Sequence, residues 1–113
     1  REGKDYTPSM ELVDATLDII KMINPRYWII ENVRGAVKWF KPKLGAQQMV
    51  INHSIFLWGR FPAFDAGVIE SKYHKDGSSR DPLRPNKRAL IPIEISRALK
   101  LAIEEQRTLL EWI

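Results

Sequence analysis

The residues of this chain best placed to do chemistry are Glu31 and Asn32, which directly follow the apolar run Tyr27-Trp28-Ile29-Ile30. In open α/β sheets the ligand crevice lies outside the carboxyl ends of the strands, where that run places the Glu31 carboxylate. Two roles suit the position: a functional carboxylate, or a local one that pairs with Arg34 or caps the helix that follows. A second chemical group is cationic. Lys72, Lys75, Arg80, Arg84, Lys87 and Arg88 crowd the polar stretch from Asp65 to Arg88, with turn signals at Asp76-Gly77-Ser78-Ser79 and Asp81-Pro82. Such a basic loop either contacts phosphates or is simply solvated. The two histidines, His53 and His74, show no HExxH or HxH spacing, so no zinc site is expected. There is no cysteine, which excludes a disulfide framework, thiolate metal ligands and a thiol nucleophile from this chain.

The frame around these groups is small. With 113 residues, 44% hydrophobic and 28% charged, the chain predicts a single domain over residues 1–113 with one core: the length leaves no room for a multidomain enzyme, and the composition argues against wholesale disorder. The net charge of +4 suits a polyanionic partner without demanding one. No apolar run reaches the roughly 18 residues of a membrane span, and the N-terminal Arg1-Glu2-Gly3-Lys4-Asp5 is charged, so a soluble intracellular chain is expected. A first residue of Arg rather than Met suggests a processed product or a piece of something longer.

Thr7-Pro8 reads as the cap and first position of a helix whose stripe is Met10, Val13, Leu17 and Ile20, widened by Leu12, Ile19 and Ile23 and stopped at Asn24-Pro25. Tyr27 to Ile30 shows no alternation and reads as a strand covered on both faces. Arg34-Gly35-Ala36 turns the chain into a short helix, Val37 to Phe40, before a loop from Lys41 to Gly45. A second strand lies within Met49 to Trp58, clearest at Ile55-Phe56-Leu57-Trp58. Pro92 opens a long final helix with Ile95, Leu99, Ala102, Leu109 and Ile113 on one face and a Lys100–Glu104 pair on another. Trp28, Phe56, Trp58 and Phe61 fit core packing better than a base-stacking platform. The fold class expected from this order is α/β, a few strands flanked by helices with a long C-terminal helix.

The stretch Pro25-Arg26-Tyr27-Trp28-Ile29-Ile30-Glu31-Asn32-Val33 resembles the motif of DNA cytosine-5 methyltransferases in which a helix leads to a strand ending in Glu-Asn-Val. The resemblance extends to Ser9-Met10-Glu11-Leu12-Val13, to Ile55-Phe56-Leu57-Trp58-Gly59-Arg60-Phe61-Pro62, and to Arg88-Ala89-Leu90-Ile91-Pro92-Ile93-Glu94-Ile95-Ser96-Arg97-Ala98. It implies a partial Rossmann-like methyltransferase fold, with the basic loop 65–88 standing where the family inserts its target-recognition portion. In that family a cysteine attacks carbon 6 of a flipped cytosine, and carbon 5 takes a methyl group from S-adenosylmethionine. The resemblance implies that Glu31 and Asn32 form the catalytic motif: the Glu31 carboxyl group holds the ring nitrogen and exocyclic amine of cytosine, and Asn32 fixes the loop. Arg34, Arg60 and the six cations of the loop are then the candidate DNA contacts.

The chain departs from the family in two ways. It holds neither the Pro-Cys nucleophile loop nor the upstream Gly-rich strand-turn-helix that binds S-adenosylmethionine, so cofactor binding by this chain alone is not expected. His53 and Ile55 stand where the family places arginines; His53 takes over part of that polar role or is an ordinary strand-entry residue. The implied function is the C-terminal part of a cytosine-5 methyltransferase, inactive alone, which needs DNA and a chain or N-terminal segment supplying the Pro-Cys loop and cofactor site. Such a partner would cover the open sheet edge, and a homodimer through that edge is the default without one. The alternative is a non-catalytic DNA-binding or interaction module derived from such an enzyme.

Overall fold

Ser9 Oγ accepts the Glu11 N–H at 3.3 Å, and the first helix, α1, runs Glu11–Ile23 from there. That start lies beyond the Thr7-Pro8 cap predicted from sequence, because Ser9 supplies the acceptor for an orphan N–H of the first turn. Asn24 ends the helix in the left-handed conformation with its N–H on Ile20 O at 2.7 Å, as the Asn-Pro signal predicts. The computed structural model describes residues 7–70, 82–83 and 90–112, and the remaining described elements are β1 (Trp28–Asn32), a 3-10 turn (Arg34–Ala36), α2 (Val37–Leu44), β2 (Met49–Ile51), β3 (Ile55–Arg60) and α3 (Ile93–Trp112). Two units divide the chain, one up to Phe61 and the other from Pro62.

In the first unit the three strands form one sheet in the order β1-β3-β2, with β3 antiparallel to both neighbours. Helices and sheet together make a small α/β architecture, and no described pair of strands is hydrogen-bonded in parallel. The two-sided cover predicted for Tyr27 to Ile30 belongs to a different strand. All five residues of β1 are half-buried, whereas Ile55, Phe56, Leu57 and Trp58 of β3 are all buried. The reason is position: β3 is central with a strand on either side, while among the described residues β1 has a strand on one side only.

The second strand predicted from sequence is a hairpin. Ser54 N–H donates to Ile51 O at 3.2 Å across a two-residue turn in which Asn52 (φ 53°) and His53 (φ 59°) are both left-handed. Without the glycine that usually marks such a turn, its sequence signal is weak. Phe40, Phe56 and Trp58 form the centre of the core, with Met10, Val13, Ile30, Val37, Trp39 and Leu44 packed around it. Trp58 is 1% exposed, and its indole N–H donates to Gly45 O at 3.0 Å, so its one polar atom is satisfied.

The α2 helix runs to Leu44, four residues past the predicted end at Phe40. Pro42 removes one helical hydrogen bond, yet Phe40 and Leu44 anchor the last turns on the core, and the Gly45 N–H closes them on Lys41 O at 2.8 Å. In the second unit Ile95 N–H donates to Pro92 O, and α3 carries the expected Lys100–Glu104 contact at 2.7 Å. Ile95 is buried and Leu99 and Ala102 are half-buried; the side chains of Leu109 and Ile113 lie outside the described residues.

Candidate functional site

β1 alternates its side chains between two faces. Ile30 pairs with Trp58 and Asn32 with Phe56, which puts them on the face of the aromatic core. Glu31 points to the opposite face, opposite Leu57, which in turn is paired with Met49; Ile29 is its nearest same-face neighbour on β1. A carboxyl group in that apolar row loses hydration, and burial raises its pKa above the ordinary 4.5. No described hydrogen bond or ion pair reaches its oxygens, and the predicted pairing with Arg34 is not made among the described residues. Among the described residues its oxygens therefore keep unused hydrogen-bonding capacity.

The Asn32 Oδ1 accepts the Val33 N–H at 2.8 Å, and the Ala36 N–H closes on Val33 O at 3.0 Å. These bonds bend the chain sharply at the carboxyl end of β1, so the Asn32 side chain shapes the turn. Arg34 comes out of that turn toward the β2–β3 hairpin. Its Nη2 donates to His53 O at 2.9 Å, and its guanidinium carbon stands 5.5 Å from the centre of the Phe56 ring. One donor and one face of the guanidinium are thus fixed, and the residue is exposed.

Glu31, Asn32, Arg34 and the Asn52-His53 turn gather at one end of the sheet. Arg60 does not join them: it pairs with Trp28 at the opposite end of β1, four residues from Asn32 and about 13 Å along the strand. His53 lies in the hairpin turn rather than on a strand, exposed, with its carbonyl clasped by Arg34. Lys72, Lys75, Arg80, Arg84, Lys87 and Arg88 lie outside the described residues. Phe56, Trp58 and Phe61 are buried and Trp28 is half-buried, so these rings are packed rather than presented to a ligand.

Two functional candidates escape the sequence reading. Lys38 and Lys41 are exposed on α2 and follow Arg34 at intervals of four and three residues. That spacing is visible in the sequence, but a helix ended at Phe40 assigns Lys41 to a loop. Among the described residues no cluster of three or more His, Asp or Glu side chains converges on a metal position, and no described helix is long and apolar enough to cross a membrane. The described glycines build no phosphate or cofactor cradle: Gly35, Gly45 and Gly67 have open space at the Cβ position, and Gly59 faces the β1 backbone. No family model, curated protein or solved structure matches the chain.

Proposed function

We propose that this chain is the C-terminal portion of a DNA cytosine-5 methyltransferase that works with a second polypeptide or segment. The observation that carries the reading is the placement of Glu31, a carboxyl group on an apolar strand face, its pKa raised by burial, beside the turn that Asn32 shapes at the end of β1. A carboxyl group so placed can accept from the exocyclic amine of cytosine and, when it carries a proton, donate to the neighbouring ring nitrogen. Fixed in place before the base arrives, it opposes charge developing on the ring as a nucleophile adds. On this reading S-adenosylmethionine is held, with the nucleophile, by the complementing half.

Two further features support a complementing half. Among the described residues, the outer edge of β1 pairs with no strand. On α1, Leu12, Ile19, Met22 and Ile23 form an exposed apolar stripe, with Leu12 83% and Met22 84% exposed, separate from the stripe of Met10 and Val13 that packs on the core. An uncovered strand edge and a helix apolar on two sides are what a domain presents when half of its layers are supplied from elsewhere. β1 and β2 run in the same direction with β3 reversed between them. Parallel strands added at β1 would make this trio one flank of a Rossmann-like sheet carrying an antiparallel strand.

The test is reconstitution. Tagged chain recovered from its own cells is analysed by native mass spectrometry, and the polypeptide that copurifies is added back to purified chain with duplex DNA and labelled S-adenosylmethionine. Methyl transfer should appear only on mixing, and Glu31→Gln should lower kcat by about a hundredfold or more while leaving the complex intact. An unchanged rate with Glu31→Gln removes the assigned role. DNA binding without methyl transfer in any combination turns the reading to a non-catalytic module.

A further inference from the structure

From Asn32 to Phe64 the chain contains no aspartate or glutamate, while Arg34, Lys38, Lys41, Lys43 and Arg60 fall in the same span. Lys43 is neutralised by Asp14 at 2.8 Å. Arg60 is at the far end of the sheet. The other three follow one another at helical intervals along the 3-10 turn and α2, where residues three or four apart are surface neighbours. All three are exposed, and none has an ion-pair partner among the described residues.

The row is also braced. Arg34 is held by His53 O and the Phe56 ring, and the Lys38 ammonium lies 5.1 Å from the centre of the Trp39 ring, a half-buried residue packed on the core. The helix that carries the two lysines is itself anchored on the core by Val37, Phe40 and Leu44. Side chains held in this way lose less conformational freedom on meeting an anion than free surface lysines do. At about 1.5 Å of rise per residue, Lys38 and Lys41 stand about 4.5 Å apart along the axis, and long side chains adapt that spacing to successive phosphates of one strand.

We infer that Arg34, Lys38 and Lys41 form a phosphate-binding row that tracks the backbone of one DNA strand and leads it to the sheet end holding Glu31. The inference rests on the methyltransferase reading for its choice of DNA, and it names a contact surface which that reading does not require. The row supplies affinity and register but reads no sequence, because phosphates are the same at every base.

The experiment measures binding of the full 113-residue chain to a fluorescent duplex across a salt series. Lys38→Gln/Lys41→Gln removes two of the three contacts, and each phosphate contact adds about 0.9 to the slope of log affinity against log salt. The slope should fall by about two, so that the affinity gap to wild type is about tenfold larger at 50 mM than at 200 mM salt. Lys21→Gln/Lys100→Gln removes the same net charge from outside the row and should leave the slope near that of wild type. Lys38→Arg/Lys41→Arg should restore it, which separates charge loss from damage to α2. Equal losses in the two glutamine pairs, or a wild-type chain with no salt-dependent affinity for duplex, overturn the row. Methyl transfer by the reconstituted complex is a separate readout: it survives if only the row is wrong, and fails while the salt slopes hold if only the methyltransferase reading is wrong.

Discussion

Glu31 shares its sheet face with Ile29, Leu57 and Met49, and this environment sets its linkage to stability. Its folded pKa lies above the unfolded value near 4.5, so below that pH both states carry the neutral acid and the site costs nothing. As pH rises through the folded pKa, the unfolded chain ionises in water while the folded chain must ionise on an apolar face, and stability falls. Glu31→Gln should therefore melt at a higher temperature than wild type at neutral pH, with the difference closing below pH 4.5 in a thermal series followed by circular dichroism. His53 offers an independent test. At φ 59° it occupies a left-handed position that costs a residue bearing Cβ about 1–2 kcal/mol. His53→Gly relieves that strain, offset by about 0.5–1 kcal/mol of extra freedom in the unfolded chain, so a net gain of a few tenths to about 1 kcal/mol is expected in urea denaturation. The candidate carboxylate was legible in sequence because an acidic residue follows an apolar run. The rise in its pKa was not, because that comes from burial, which depends on the pairing of β1 with β3 that sets Leu57 opposite it.

The pairing of β1 with β3 depends on one residue. Gly59 lies opposite Ile29 with φ 150°, and a Cβ there would run into the Trp28 carbonyl oxygen. Neither partner can yield, because the obstacle is backbone and the conformation is one that residues with Cβ rarely adopt. Gly59→Ala should destabilise the chain by about 3 kcal/mol or more, read as a large fall in the urea midpoint, whereas Gly35→Ala meets open space and should change it by less than about 1 kcal/mol. The elements differ in how clearly sequence announced them. α1 and α3 carry long periodic stripes and were legible to within a few residues at their starts. β2 has three residues and a turn without glycine, and α2 runs through Pro42; both exist because the core holds them, against weak local preference.

For the molecule as a whole, the complementing half proposed above would attach through the exposed stripe of α1 and the edge of β1 that is unpaired among the described residues. Leu12→Glu/Ile19→Glu changes two exposed positions, so the chain should keep its melting temperature within a few degrees. The same pair should weaken assembly with the copurifying partner at least tenfold in analytical ultracentrifugation, because two charges would be buried without partners. A double variant that assembles normally would remove α1 from the interface. Sequence by itself determined the chemical inventory: no thiol, a carboxylate after an apolar run, an excess of cations, and helices whose period shows which side is apolar. These are local properties, carried by residue type and spacing. Tertiary structure alone decided that the sheet is antiparallel, that β3 rather than β1 is the strand buried on both faces, that Arg34 turns to the hairpin rather than to Glu31, and that Arg60 stands at the other end of the sheet. Each of these depends on which strand lies beside which and in what register. Pairing between residues distant in the chain is settled by shared burial, and no local pattern encodes it.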